Sequence, residues 1–190
     1  MSAIAQGMER IIEAIRKKGF PIDGFLGAGL SEQEIRDKVK HLPFSLPAEI
    51  VELYQWHNGQ VPECQLYLFR DQRFLPLDEA LDDYQMIQTY FVPALGGVDV
   101  GVDLRSCFPF AGFEGANYVV PCRGHTLIGG QELPIICVFE GVEVHFLNFA
   151  AMTDTIIAWY EAGAHRVDAP LVDEKSELRI WKQHNPGLFD

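Results

Sequence analysis

The residues that could do chemistry are few and scattered. His57 stands in the cluster Trp56-His57-Asn58-Gly59, near the end of the stretch LPAEIVELYQWHNGQ. A cysteine hydrolase would need a histidine beside an exposed thiol, and Cys122 shortly before Gly124-His125 comes nearest to that pairing. A helix start would favour a reactive thiolate. Nothing around Cys122 supplies one. No GxSxG elbow offers a serine nucleophile. A hydrolase using His57 or Cys122 is therefore the least supported reading.

Metal and nucleotide chemistry fare no better. The six histidines, His41, His57, His125, His145, His165 and His184, form no HxH or HExxH pattern. EVHF puts Glu143 and His145 on one face of a strand, a spacing common in sheets. GGVDVGVD lacks the Lys-Ser/Thr of a P-loop and the spacing of a dinucleotide fingerprint, and HTLIGGQ leads into a strand rather than a helix. We expect no cofactor, no metal and no catalytic residue. The carboxylates form no acid–base pair. Asp82 and Asp83 fall on an exposed helix face, and Asp99 and Asp103 fall in a glycine-rich loop with Glu114 nearby in sequence. They read as solvated acids, or as an acidic patch for a partner.

The totals narrow the partner. The 190 residues carry 15 basic and 27 acidic side chains, a formal charge of −12. That sign repels phosphate backbones and suits a basic protein, because opposite fields raise association rates. With 48% hydrophobic residues the chain can bury a real core. No apolar run approaches the ~18 residues of a membrane span. The N-terminus MSAIAQGMERIIEAIRKKGF lacks the pattern of a signal peptide, so the expected location is the cytoplasm. Cys64, Cys107, Cys122 and Cys137 form no CxxC pair and read as free, mostly buried thiols.

The elements that must position these residues follow from periodicity. Ala3 to Lys18 reads as a helix, with Ile4, Met8, Ile11, Ile12 and Ile15 at helical spacing. FPIDGFLGAGL reads as a loop. Ser31 to Glu34 has the form of a capping box, opening a helix to about Lys40. Pro47 fits the first turn of a third helix, with His57 on its packed face and Gly59 in the left-handed conformation that closes it. CQLYLF reads as a strand, and Asp78 as the cap of a helix from Glu79 to about Phe91. CFPFAGF, NYVVPC, PIICVF and VEVHFLNF read as antiparallel strands, followed by a helix from about Met152 to Ala162 and a final charged helix. Helices, then strands around one helix, then helices give an α+β domain, mainly an antiparallel sheet flanked by helices.

With these elements in place, a resemblance can be named. LPAEIVELYQWHNGQ is similar to the signature of the SMI1/KNR4 family, the founding branch of the SUKH superfamily. A capped helix, a Leu-Pro step, a helix with aromatics and an Asn-Gly exit correspond here to Ser31 to Lys40, Leu46-Pro47, Tyr54, Trp56, Asn58 and Gly59. LPLDEAL, CFPFAGFEGANYVV and AMTDTIIAWYEAGA resemble later parts of the pattern. The likeness spans 31–164, leaving 1–30 as an N-terminal extension and 165–190 as a helical tail packed on the domain. It departs where family members carry Asp after the second strand and this chain has Val120-Pro121-Cys122. The resemblance implies a domain without catalysis. It further implies an immunity protein that binds and neutralises a bacterial toxin, often a nuclease, or, as in fungal relatives, a regulatory or scaffold protein of cell-wall synthesis.

Overall fold

The computed structural model describes residues 2–94, 101–123, 133–164, 166 and 173–188. α1 (Ala3–Lys17) turns Ile4, Met8, Ile11, Ile12 and Ile15 inward. Fully burying each such aliphatic side chain stabilises the fold by about 1.5–3 kcal/mol. α2 (Glu32–Val39) opens on the expected capping box. Ser31 Oγ accepts the Glu34 N–H at 3.2 Å, and Glu34 Oε2 accepts the Ser31 N–H at 2.8 Å. α3 (Ala48–Trp56) starts after Pro47, which sits at its N-cap.

The chain between α1 and α2 is not only a loop. A 3-10 turn at Ile22–Phe25 leads into β1 (Leu26–Ala28), which pairs antiparallel with β2 (His57–Gln60). Backbone contact makes this strand, not β-branched side chains. A Cβ on Gly29 would lie 2.0 Å from the Gln55 carbonyl oxygen. No alternation in the sequence could announce it.

β3 (Arg73–Phe74), β4 (Cys107–Phe113), β5 (Ala116–Pro121), β6 (Ile135–Val138) and β7 (Val142–Phe146) form a five-stranded antiparallel sheet in chain order. Between β3 and β4 runs α4 (Leu77–Met86), which continues as a π-helical turn at Ile87–Phe91 and as α5 (Val92–Ala94). α6 (Phe149–Ala162) is capped by Asn148, whose side chain accepts the Ala151 N–H at 2.8 Å, and it stops at Gly163, φ 68°. It starts a turn earlier than expected. α7 (Glu174–His184) is capped by Asp173.

Alternation along β5 sends Tyr118 and Val120 into the main core with α1, α3, α6 and α7. Val119, with Ile136 and Val138, faces a smaller core around Ile87 and Leu104. The helices thus cover both faces of the sheet. α1 and α7 contribute to the same main core as α6.

Three expectations need correction. Residues 64–69 form no strand; only Phe69 makes a bridge, to Gln72. Leu68 and Phe69 are buried there as core plugs without a neighbouring ladder. His57 is not helical: α3 ends at Trp56, and His57, at φ −149° and ψ 147°, already belongs to β2. Asp78 does not cap α4, which begins at Leu77. Asp78 instead pairs with Lys38 at 2.7 Å on the surface.

Candidate functional site

The side chains of the Trp56 to Gly59 corner are tied into the surrounding packing. Tyr54 is fully buried and donates to the Leu75 carbonyl at 3.2 Å. Trp56 is half-buried, stacks on Phe74 and donates its Nε1–H to Glu9 at 2.7 Å. His57 Nδ1 lies 2.7 Å from the Gly27 carbonyl oxygen. Asn58 accepts the Leu77 N–H at 2.9 Å. Gly59 is left-handed, φ 71°, but inside β2 rather than at a helix end. Leu46, beside Pro47, packs against the main core.

Of the acids singled out in the sequence, the described ones are spread over different elements. Asp82 is exposed on α4. Asp83 is half-buried and accepts from Asn117 Nδ2, and burial raises its pKa above the usual carboxylate range. Asp103 caps the 3-10 turn Leu104–Ser106. Glu114 sits in the turn between β4 and β5. Asp99 lies outside the described residues, as do His125, HTLIGGQ and most of GGVDVGVD.

A different constellation forms at one end of the sheet. An open cleft of about 680 Å³ lies between the turn at Arg70-Asp71, the β4–β5 hairpin tip and the β6–β7 hairpin tip. A smaller hollow of about 340 Å³ shares Arg70, Glu143 and His145 with it and extends to Trp181 on α7. The elements position these groups as follows. Phe69 and Gln72 exchange backbone hydrogen bonds of 3.0 and 2.9 Å, closing a two-residue turn. Arg70 at φ 60° and Glu114 at φ 50° are the two non-glycine residues with left-handed backbone among those described, and both line the cleft. Left-handed residues of that kind concentrate at functional sites and in tight hairpins.

On the sheet, register aligns Tyr118 with Cys137, and Cys137 with Glu143. His145 is the extra residue of a bulge in β7, where Ile135 pairs Phe146 and Ile136 pairs Val144. Its carbonyl accepts the Trp181 indole N–H at 2.7 Å, fastening α7 to the strand.

The electrostatics follow from burial. Arg70 holds the Glu177 carboxylate through Nε at 3.1 Å and Nη2 at 3.2 Å. Burial works against the Arg70 charge, but Glu177, Tyr118 and Asp71 together outweigh it, so the guanidinium is held more firmly protonated than usual. His145, enclosed at Nδ1 and facing the Arg70 charge, has its pKa lowered by burial first and by Arg70 second, to about 3. It is neutral at physiological pH. Burial pushes the Cys137 thiol up to about 12, and the Cys122 thiol likewise. Neither is a thiolate at neutral pH. Among the described residues, no group of three or more His, Cys, Asp or Glu side chains could hold a metal ion. The arrangement is equipped to recognise a ligand by hydrogen bonds, charge and aromatic surface. Of its residues the sequence drew attention to Glu114, Cys137, Glu143 and His145, but not to Arg70, Gln72 or Tyr118.

Fold and site together define a single α+β domain built on an antiparallel meander. The chain belongs to the SMI1/KNR4 family (SUKH-1), whose model matches residues 29–157. The match contains every residue lining the larger cleft and leaves α1 and α7 outside. No curated protein matches the sequence. No helix among the described residues is long and apolar enough to cross a membrane.

Proposed function

We propose that this chain is a non-catalytic binding protein that neutralises a basic bacterial toxin, such as a nuclease, by docking onto it. The observation that carries this reading is the state of the cleft. It gathers polar and aromatic groups at an open end of the sheet, yet its histidine is neutral, its thiol is protonated and its guanidinium is paired. Such a state suits holding a partner. Membership of the SMI1/KNR4 family supports the same reading, since the resemblance implies immunity proteins among its bacterial members. The charge of −12 favours a basic partner and steers it by long-range attraction. We read 31–164 as the family's domain, 1–30 and 165–190 as additions to it, and the cytoplasm as the place of action.

The test is capture from lysate of the source organism at low and at raised salt, followed by a toxicity assay of the captured protein with and without this chain. A basic toxin, released by salt and silenced by the chain, is expected. A captured partner that is harmless to cells would replace the immunity reading with a regulatory one.

A further inference from the structure

Asp83 and Asn117 meet between α4 and the sheet, on a row where register aligns Arg73 with Gly112 and Gly112 with Asn117. Asn117 is 1% exposed, and its Nδ2 donates to Asp83 Oδ2. Its Oδ1 is enclosed and has no hydrogen-bond partner. Leaving a buried amide oxygen unpaired is costly, and native proteins rarely do so without a reason. The two side chains fill their space. A Cβ on Gly112 would lie 2.6 Å from Asn117 Nδ2 and 2.9 Å from Asp83 Oδ2, so only glycine admits the pair.

An amide carries a donor and an acceptor side by side, and an ionised carboxylate can only accept. The carboxylate therefore answers Nδ2 and leaves Oδ1 without a donor. A protonated carboxyl offers both functions. One oxygen accepts from Nδ2 while the O–H donates to Oδ1, closing a ring of two hydrogen bonds. Burial is the largest influence on Asp83 and favours the uncharged acid. The bond from Asn117 opposes it, and the charge of Asp82 adds to it. The other groups on this side do not hold the charge. Arg73, the cation of the row, lies 3.9 Å from Glu79 and makes no ion pair with Asp83. Tyr54, on α3, is fully buried and donates to the Leu75 carbonyl instead. Asp83 itself is half-buried, so solvent can deliver the proton.

We propose that Asp83 is the proton-binding element of an acid-sensitive clasp. Protonated, it closes the two-bond ring with Asn117 and fastens α4 to the sheet. Ionised, it holds α4 by one bond and leaves Asn117 Oδ1 bare. The folded chain takes up this proton at higher pH than the unfolded chain does, so the clasp tightens as pH falls. His145 acts in the opposite sense, and readings at single residues separate the two.

The probe is the proton itself, titrated into the full chain and read by carboxyl carbon shifts. The Asp83 carboxyl should titrate above the ~3.9 of an ordinary aspartate, and the Asn117 side-chain amide should shift with the same midpoint. Below that midpoint the α4 amides should exchange about threefold or more slowly relative to their intrinsic rates, for one hydrogen bond gained. Asp83→Asn supplies donor and acceptor at every pH. It should show that slower exchange already at neutral pH and lose its pH dependence. An Asp83 carboxyl that titrates at or below the ordinary value would overturn the clasp. So would an Asn117 amide indifferent to that titration, or α4 amides that exchange alike on both sides of it. Exchange in Asp83→Asn no slower than in the parent at neutral pH would also overturn it, because the charge would then be what Asn117 holds.

Discussion

The side-chain oxygen of Asn58, on β2, accepts the backbone N–H of Leu77 at 2.9 Å and so caps α4 from another element. Pro76, the residue at the N-cap itself, has no side-chain hydrogen bond to offer. Two residues on, Gln60 is fully buried and its Oε1 accepts the Phe74 N–H at 2.8 Å. Asn58 and Gln60 therefore stitch the two-stranded layer to the entrance of the sheet and of α4. Asn58→Ala should lower stability by about 1 kcal/mol, within the ~0.5–2 of lost helix caps. Chemical denaturation measures it, and an unchanged midpoint would remove the cap from the account.

Gly59 between them has no room for a side chain. A Cβ there would lie 2.1 Å from Pro76 N and 2.5 Å from the Leu75 carbonyl carbon, and φ is 71°. Backbone cannot yield as a flexible side chain can. Gly59→Val combines the clash with a conformation that β-branched residues resist, so expression of soluble protein should collapse. Soluble, fully stable Gly59→Val would mean that β2 does not pass so close to Leu75-Pro76.

Trp56 is half-buried, so its truncation should cost less than the ~3–5 kcal/mol of a fully buried ring. We expect about 2 kcal/mol for Trp56→Ala, by calorimetry. Part of the loss is the bond to Glu9, which ties α3 to α1. Trp56→Phe keeps the ring packing and should recover most of that stability.

His145 makes stability depend on acid. Its folded pKa lies near 3, below the ~6.5 of an unfolded histidine. Between those values the unfolded chain binds a proton that the folded chain refuses. Stability is therefore complete above about pH 6.5 and declines as pH falls toward 3, by at most about 1.4 kcal/mol per pH unit from this group. His145→Phe keeps an aromatic ring beside Tyr118 and should flatten the profile over that range. Parallel profiles for the two proteins would mean that His145 titrates normally.

Local signals were readable in the sequence, and contacts between distant segments were not. Ser31 and Glu34 are three apart, and their capping box stands as the sequence implies. Gly163 ends α6 as expected. Asp78 looked like a cap because the true one, Asn58, lies far back in the chain. CQLYLF reads like a strand because it is mostly apolar, but apolar residues record burial, and here only Phe69 makes a bridge, to Gln72. The cleft was legible only in fragments. Arg70, Tyr118 and Glu177 come from a turn, a strand and the last helix, and only packing brings them together. The positive φ of Arg70 had no herald, since a glycine is the usual signal at such a turn.

The central claim is that an acidic surface meets a basic partner. It is tested most directly by the association rate of the captured partner as ionic strength rises. The account predicts a steep fall in that rate with a nearly constant dissociation rate, and a further fall in Glu140→Lys and Glu143→Lys. An association rate indifferent to salt and to both charge reversals would contradict it.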